Sequence, residues 1–454
     1  MKPNKPYLAP VAIILTFRFV AWLLLVVAVA APGSSLAQSP PTSPAPAHVE
    51  VRKSAGRWQL YVNDHLFFVK GAGGAGSLAE LKAAGANSIR TWSVDGLQRV
   101  LDEAQKLGLT VCVGLWFHHE QDTEGFDYSK LEMVQAQLEQ VRQTVLRFKD
   151  HPAVLLWGLG NEMEGPAGDK IEIWNAVQAA AKLTKELDPH HPTMTVIAEI
   201  GGQKIPAIHK YCPDIDIIGI NSYGGGSSLA QRYARLNGTK PYIITEFGPP
   251  GPWELDKTSW GATPEPTSTE KATAYRRTYE GSIANQPLCL GSYAFLWGQK
   301  QETTVTWFGM FLKDGAKLQA VDTMTELWTG AAPRERCPAI QQLKLRDARE
   351  FAPGATFTAN LAATDPAGRP LQVRWVVQPE QPRKLTAGAE EQTLPEWTDL
   401  IVRSDLRSAE VRAPQTPGGY RLFAYVRNGA GAAVANVPFH VGPAKKTVAD
   451  RKTP

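Results

Sequence analysis

The sequence predicts an α/β protein built as a (β/α)8 TIM barrel, with a C-terminal immunoglobulin-like β-sandwich. Two observations predict this fold. Short apolar, β-rich runs alternate with helical patterns over about 250 to 280 residues, which is the size of such a barrel. After residue 340 the pattern changes to two-residue alternation interrupted by turn signals, which is typical of a sandwich. A chain of 454 residues has room for both.

Eight runs are predicted as the barrel strands because each is short, apolar and rich in β-forming residues. They are 67–71, 87–92, 110–117, 154–160, 194–198, 215–221, 242–245 and 290–297. Helical periodicity lies between them, for example at 77–84, 97–107, 129–148, 171–187 and 268–284. We therefore expect the barrel to close near Trp328, after the last helix.

The remaining boundaries follow from changes in composition. We expect a catalytic barrel over 49–332, opened by a short hairpin that turns at Asn63-Asp64, and a sandwich over 339–443. Residues 444–454 are predicted to be a frayed tail. No motif typical of catalysis lies in the sandwich, so we expect it to be accessory to the chemistry.

The N-terminus is predicted to be an export signal over 1–37, cleaved between Ala37 and Gln38 and followed by a Pro- and Ser-rich linker over 38–48. Basic residues come first, an apolar core follows, and small residues precede the cleavage site. This predicts a periplasmic or secreted protein with no stable membrane span after cleavage. An uncleaved anchor is the alternative, because the apolar stretch before Arg18 lengthens the core. No cysteine lies near the cleavage site, which argues against a lipoprotein.

The composition indicates which classes of ligand the protein binds. The net charge is +4, and no dense Lys/Arg run is interleaved with aromatic residues, so nucleic-acid binding is not indicated. The 13 tryptophans are many for this length and favour sugar ligands, which stack on aromatic faces. The four cysteines allow three disulfide connectivities, but Cys112 and Cys289 lie in predicted buried strands and are better explained as core residues. No metal or redox role is predicted for them.

Two glutamates stand where barrel strands end. Glu162 closes the run 153–162 and Glu246 lies in 240–248, on the fourth and seventh predicted strands. Barrel enzymes place catalytic groups at the C-terminal ends of strands. Glycoside hydrolysis needs one carboxylic acid to protonate the leaving oxygen and one carboxylate on the other side of the anomeric carbon. Each glutamate alone is equally explained as a surface or salt-bridged residue, but the pair favours catalysis.

The motifs around these residues resemble clan A of the glycoside hydrolases. The resemblance rests on Gly160-Asn161-Glu162, on 244–248 around Glu246, and on Arg90 at the end of the second strand, and it spans about 68–328. It implies a retaining mechanism without a cofactor, with Glu162 as acid/base and Glu246 as nucleophile. The barrel resembles that of family 2 enzymes, although their large N-terminal sandwich domains have no counterpart here. A barrel with one immunoglobulin-like domain is similar to certain bacterial endo-β-1,3-glucanases.

Further substrate-binding residues are expected around the pair. Arg90 would orient Glu246, and Tyr223 would donate a hydrogen bond to the same carboxylate. Asn161 would bind the sugar 2-hydroxyl, unless it is a helix cap. Trp297, at the end of the eighth predicted strand, is expected to be the platform under the sugar at the cleaved bond.

Histidines and tryptophans near other strand ends complete the candidate site. His118-His119-Glu120 suggests a metal, but neighbouring residues of an extended chain point to opposite sides, so a sugar contact through His119 is favoured and no metal is predicted. Trp116 and Trp253 are expected to stack on further sugars, as are Trp92 and Trp260, unless they lie in the core. The glycine-rich run 71–76 matches no phosphate-binding pattern.

These observations predict an exported retaining β-glycoside hydrolase that binds a β-glucan or an oligosaccharide. Endo action on β-1,3-glucan is the first choice, on the analogy of architecture. Two alternatives remain: a glucan transglycosylase using the same site, and a non-catalytic carbohydrate-binding protein. The binding protein is disfavoured because it needs neither glutamate.

Overall fold

A computed structural model describes residues 45–119, 125–346, 348–381 and 389–442. All of them belong to one compact unit that begins at Ala45. The predicted export signal, most of the linker after it, Glu120 and the predicted tail lie outside the described residues.

Eight parallel strands close into a barrel, which confirms the predicted fold class. All eight predicted runs contain an observed strand, and the ends shift by a few residues at most. The strands are β4 (Val69–Gly73), β5 (Ser88–Arg90), β6 (Thr110–Leu115), β7 (Val154–Asn161), β8 (Thr193–Ala198), β9 (Ile217–Asn221), β10 (Tyr242–Phe247) and β11 (Cys289–Phe295). Around the barrel they follow one another in chain order, with β11 paired to β4.

A three-stranded antiparallel sheet covers the N-terminal end of the barrel. It contains β1 (Val49–Ser54), β2 (Arg57–Val62) and β3 (His65–Phe67). Val49 N–H donates to His190 O, just before β8, and Trp58 N–H donates to Pro287 O, just before β11. Leu60 is fully buried against the barrel interior. This end is therefore closed, and the C-terminal strand ends remain for a site.

Eight α-helices accompany the strands among the described residues. They are α1 (Leu78–Ala83), α2 (Leu97–Leu107), α3 (Leu131–Phe148), α4 (Ile171–Leu187), α5 (Lys204–Tyr211), α6 (Leu229–Arg235), α7 (Ser268–Thr278) and α8 (Gln319–Thr329). A capping box between Thr267 and Glu270 begins α7. In the part of the chain that the structure describes, no helix combines the length and the apolar character needed to cross a membrane.

The C-terminal region forms two four-stranded sheets, which confirms the predicted sandwich. One sheet has the order β12-β14-β17-β16 and the other β13-β19-β18-β15. The strands are β12 (Ala339–Leu345), β13 (Glu350–Phe351), β14 (Thr356–Thr364), β15 (Gln372–Pro379), β16 (Ile401–Ser404), β17 (Ser408–Arg412), β18 (Gly418–Arg427) and β19 (Ala432–Val441). Trp375, Val377 and Leu422 lie in the core between the sheets.

The second of these sheets is buried on both faces. Its inner face packs on the sandwich core, while Val376 and Phe423 on the outer face pack against Leu312 and Leu318 of the barrel region. Consecutive residues of β18 and β19 are therefore buried, and the predicted simple alternation of buried and exposed residues does not hold there. The sandwich shares an apolar interface with the barrel.

The four cysteines are free and buried. Burial raises the pKa of the Cys112 thiol to about 12, so it stays protonated near neutral pH. These cysteines behave as small core residues.

Candidate active site

The C-terminal ends of the barrel strands bring the predicted glutamates together with several polar residues. Arg90 ends β5, Asn161 ends β7 and Asn221 ends β9, while Glu246 lies near the end of β10. Because all these strands are parallel, their C-terminal ends meet at one mouth of the barrel.

The turn after β7 sets the position of Glu162. Gly160 has a φ of 78°, which favours glycine, and a Cβ placed there would lie 2.1 Å from the Met163 sulfur, so the Met163 side chain would have to move. Glu162 itself has a φ of 56°, which is uncommon for a residue with a side chain, and its N–H donates to Val196 O at 2.9 Å. The backbone is therefore held in an unfavourable conformation that points this carboxyl group at the mouth.

Glu246 is a buried carboxylate surrounded by hydrogen-bond donors. Arg90 Nη1 donates to its Oε1 at 2.9 Å, Trp92 Nε1 donates to the same oxygen at 2.8 Å, and the Tyr223 hydroxyl donates to Oε2 at 2.6 Å. Only 6% of Glu246 and 3% of Arg90 are exposed, so water screens this ion pair weakly. These three donors fix the orientation of the Glu246 carboxylate.

Glu162 lies in a different environment. It is partly buried, and its Oε1 accepts a hydrogen bond from Asn221 Nδ2. Burial, and then the negative charge of Glu246, raise the pKa of Glu162 from 4.5 to about 7, while the Asn221 hydrogen bond lowers it. Glu162 therefore holds its proton more tightly than an ordinary carboxyl group does.

A third carboxyl group lies behind Glu162. Glu164 is buried and is paired with Lys204 at 3.1 Å, and its Oε1 accepts a hydrogen bond from Ala198 N–H at 2.9 Å. Burial raises the pKa of Glu164 in spite of the lysine. This pair supports the β7 and β8 loops from behind the site.

Arg90, Asn161 and Asn221 link the two glutamates. Arg90 Nη2 donates to Asn161 Oδ1 at 2.6 Å, and Asn221 Nδ2 donates to the same oxygen at 3.2 Å. Asn221 Oδ1 in turn accepts from Thr245 Oγ1 at 2.7 Å. Because its amide oxygen accepts these bonds, Asn161 can offer its amide nitrogen as a donor at the mouth.

Tyr223 connects Glu246 to an aromatic wall. Its ring packs on Phe295 and Phe308, at centroid distances of 5.9 and 5.3 Å. Burial, followed by the charge of Glu246, raises the pKa of Tyr223 well above its ordinary value. The hydroxyl therefore remains a neutral donor.

Trp297 lies apart from this wall, which corrects the predicted platform. Its side chain is fully buried and packs against Phe311 and Trp328, and its Nε1 donates to Ser77 O at 3.0 Å. A sugar cannot stack on a ring that has no exposed face. The strand ends at Phe295, two residues earlier than expected, so Trp297 already belongs to the following loop, which contacts the residues just before α1.

Trp116 and Trp253 are exposed at opposite sides of the mouth. They follow β6 and β10, which are four strands apart in the closed barrel, and 43% and 53% of the two residues are exposed. Trp116 stacks on His119 at a centroid distance of 5.2 Å, and Trp253 packs edge-on against Tyr223 at 5.8 Å. Large exposed rings at these positions suit sugar stacking.

The two neighbouring histidines point to different partners. His119 Nε2 donates to Asn161 O at 2.8 Å, whereas His118 stacks on Phe126 at 4.9 Å. His119 thus supports the main chain beside Glu162. Within the described ranges, no group of three or more His, Cys, Asp or Glu residues is arranged to hold a metal ion.

The sequence predicted no role for Asn221 and a different role for Trp92. Asn221 is the last residue of β9, and its place at a strand end was a usable signal. Trp92 was expected to stack on a sugar or lie in the core, but its indole N–H donates to Glu246. Nothing in a linear sequence indicates which ring will reach a carboxylate more than 150 positions away.

Comparison with known proteins places this geometry in context. Residues 77–251 match the family model described as glycosyl hydrolases family 2, TIM barrel domain. A β-glucuronidase of Streptococcus agalactiae is 27% identical over 192 residues, which cover 37% of this chain and 31% of that protein. Mannan endo-1,4-β-mannosidase F of Aspergillus fumigatus is 32% identical over 211 residues, which cover 37% of this chain and 47% of that protein. The chain thus spans less than half the length of either relative.

Part of this chain is also similar to a solved structure. The β-galacturonidase of Eisenbergiella tayi, bound to galacturonate, aligns over 63% of this chain and 54% of its own, with 17% identity and a TM-score of 0.49. The family model and the curated relatives support a barrel of the clan A glycoside hydrolases. Neither curated relative described here is an endo-β-1,3-glucanase, so that finer resemblance stays a prediction.

Proposed function

We propose that the chain is a retaining β-glycoside hydrolase that works by double displacement with Glu162 and Glu246. The observation that carries this proposal is the contrast between the two carboxyl groups. Glu162 has a pKa raised to about 7, which suits a general acid, whereas Glu246 is surrounded by three donors including the Arg90 guanidinium. Glycoside hydrolysis uses such a pair, one acid that keeps its proton and one oriented carboxylate, and the retaining course follows from the resemblance to clan A.

The two steps follow from these environments. In the first, Glu162 gives its proton to the glycosidic oxygen while a Glu246 oxygen bonds to the anomeric carbon and the glycosidic bond breaks. In the second, a water molecule attacks the anomeric carbon, gives its proton to the Glu162 carboxylate, and the ester to Glu246 breaks. Asn161 offers its amide nitrogen to the sugar 2-hydroxyl throughout.

Variants of the two glutamates test the assignment. Glu246→Ala should abolish turnover of every substrate, because no covalent intermediate forms. Glu162→Ala should keep the first step for dinitrophenyl glycosides, whose leaving group needs no proton, and azide should restore the second step with retained configuration. Equal losses on activated and unactivated substrates would contradict the roles, and inverted product configuration by NMR would contradict the retaining mechanism.

The finer proposal is endo action on a β-glucan, with β-1,3-glucan as the first choice. Trp116 and Trp253 support it, because they are exposed in the loops after β6 and β10, four strands apart, and offer stacking faces on two sides of the mouth. Binding on both sides of the cleaved bond favours internal cleavage. Mannan is the second candidate, favoured by the 32% identity to mannan endo-1,4-β-mannosidase F.

A substrate panel distinguishes these possibilities. Laminarin, barley glucan, cellulose oligomers, mannan and aryl glycosides, including an aryl β-glucuronide, are incubated with the protein and the product sizes are measured. Short oligosaccharides from laminarin support the first choice, and the same pattern from mannan alone supports the second. Monosaccharide from chain ends only would exclude endo action. Longer products at high donor concentration would identify a transglycosylase, and binding without turnover a carbohydrate-binding protein.

We also propose that the protein acts outside the cytoplasm. Support comes from the basic, apolar and small-residue order of the first 37 residues. Mass spectrometry of the mature N-terminus tests this: a protein that begins at Gln38 supports export and cleavage, whereas an intact Met1 in the membrane fraction would support the uncleaved anchor.

A further inference from the structure

A strained turn lies in the loop that follows β11. Thr303 has a φ of 63°, a conformation that β-branched residues adopt very rarely. Across it, Thr304 N–H donates to Glu302 O at 2.7 Å, and Glu302 N–H donates to Thr304 O at 3.1 Å. A three-residue turn with a positive φ at its centre is unfavourable by itself, so the surroundings must hold it.

The sandwich supplies a residue that holds this turn. Glu391 Oε2 accepts a hydrogen bond from the Thr303 N–H at 2.7 Å, and Glu391 N–H donates to Gln301 O at 2.8 Å. Glu391 is 7% exposed and Thr303 is 5% exposed. A hydrogen bond to a buried carboxylate is stronger than one between neutral groups, so this clamp suits a strained backbone.

A second buried network fixes the next residues of the loop. Glu265 accepts hydrogen bonds from Thr304 Oγ1 at 2.6 Å and Thr306 Oγ1 at 2.8 Å, and it is paired with Lys271. Asn436 of β19 donates to the same carboxylate. The loop is therefore bound to the sandwich on both sides of the turn.

The loop continues directly into the wall of the candidate active site. Trp307 and Phe308 are buried, and Trp92 and Tyr223 pack against the cluster that they form. Trp92 and Tyr223 are two of the three side chains that donate to Glu246. A shift of the loop would thus move the donors that orient the nucleophile.

We propose that Glu391 is a positioning residue of the sandwich, which holds the Thr303 turn and thereby sets Phe308 and Tyr223 against Glu246. This proposal rests on the proposed function of the barrel. It gives the sandwich a part in catalysis, where the sequence suggested only an accessory one. Glu391 touches neither substrate nor reacting atoms, and acts through the loop.

Three variants test the role of Glu391 in the full-length protein. Glu391→Ala removes the acceptor, and Glu391→Gln keeps an oxygen that can accept from Thr303 N–H. Glu390→Ala is the matched control, because its side chain is the exposed neighbour in the same segment. We expect Glu391→Ala to lower kcat on a short aryl glycoside by roughly tenfold to a hundredfold with little change in KM, as misplacement of catalytic groups does. Glu391→Gln should recover most of kcat, and Glu390→Ala should match the wild type.

Hydrogen exchange gives a readout that does not depend on turnover. Peptides covering 299–308 should exchange faster in Glu391→Ala than in Glu390→Ala, while the rest of the barrel is unchanged. If wild-type protein turns over no glycoside, the proposed function fails, and the exchange experiment still decides whether the clamp exists. Wild-type kcat and unchanged exchange in Glu391→Ala would overturn the proposal.

A double substitution separates positioning from general destabilisation. Thr303→Gly removes the penalty of the positive φ, so the turn needs less support. Glu391→Ala should therefore lower kcat by a smaller factor in the Thr303→Gly background than in the wild type. If Glu391→Ala lowers kcat by the same factor in both backgrounds, Glu391 does not act through this turn.

Discussion

Replacing Glu162 by glutamine should make the protein more stable at alkaline pH. The glutamine has nearly the same shape and can still accept from Asn221, but it cannot ionise. Each tenfold change in proton affinity corresponds to about 1.4 kcal/mol. Raising the pKa of Glu162 from 4.5 to about 7 therefore lowers the unfolding free energy by about 3 kcal/mol when Glu162 is ionised. Because Glu162 is partly exposed, solvent reduces this figure, and we expect about 2 to 3 kcal/mol.

The sign of the pH dependence follows from proton binding. Between pH 4.5 and about 7 the folded protein holds the Glu162 proton more tightly than the unfolded chain does, so stability falls as the pH rises. Below this window the neutral acid and the amide are nearly equivalent. Above about pH 7 the wild type has lost all of this stability, and the difference in unfolding free energy between Glu162→Gln and wild type should be constant.

Urea unfolding at pH 5 and pH 8 measures the effect. The difference in unfolding free energy between Glu162→Gln and wild type should grow by about 2 kcal/mol between these pH values. Glu390→Gln is the control at an exposed position and should show no such growth. If Glu162→Gln exceeds wild type in unfolding free energy by the same amount at both pH values, the pKa of Glu162 is not raised in the folded protein. In the wild type, kcat/KM should fall above about pH 7, where the acid loses its proton.

Three further predictions concern the surroundings of the glutamates. Arg90→Lys should lower kcat/KM by roughly a hundredfold, because an ammonium group cannot reproduce the guanidinium contacts to Glu246 and its neighbours; steady-state kinetics on an aryl glycoside check this. Asn221→Ala should move the alkaline limb of the pH–rate profile to higher pH. The Asn221 hydrogen bond lowers the pKa of Glu162, so its removal raises that pKa; an unchanged limb would contradict this. Trp253→Ala should raise KM on polymer several-fold while leaving short aryl glycosides nearly unaffected, as measured by parallel kinetics on both.

Local chemistry explains why much of the barrel could be predicted from the sequence. Buried parallel strands must be short and apolar, so runs such as 154–160 and 242–245 are visible without any knowledge of contacts. Parallel strands in a closed barrel also share one C-terminal mouth. Polar residues such as Glu162, Glu246 and Arg90 that end such runs therefore had to lie near one another, whatever the details of packing.

The tertiary structure decided which side chains touch and which remain exposed. Trp297 and Trp253 are the same residue type in loops after neighbouring strands, yet one is fully buried and the other is half exposed. Burial depends on what the rest of the chain packs against each ring, and this is a property of distant residues. The pKa of Glu162 likewise depends on desolvation and on a charge 84 positions away.

The role of the sandwich depended most strongly on tertiary contacts. Alternation in the sequence predicted its two sheets, because a strand with one buried face must alternate. It did not indicate that the barrel covers the outer face of one sheet, or that Glu391 binds a turn beside the site. Local patterns determine the secondary structure that a segment forms. Long-range packing, which places a carboxylate of one domain against the backbone of another, exists only in the folded chain.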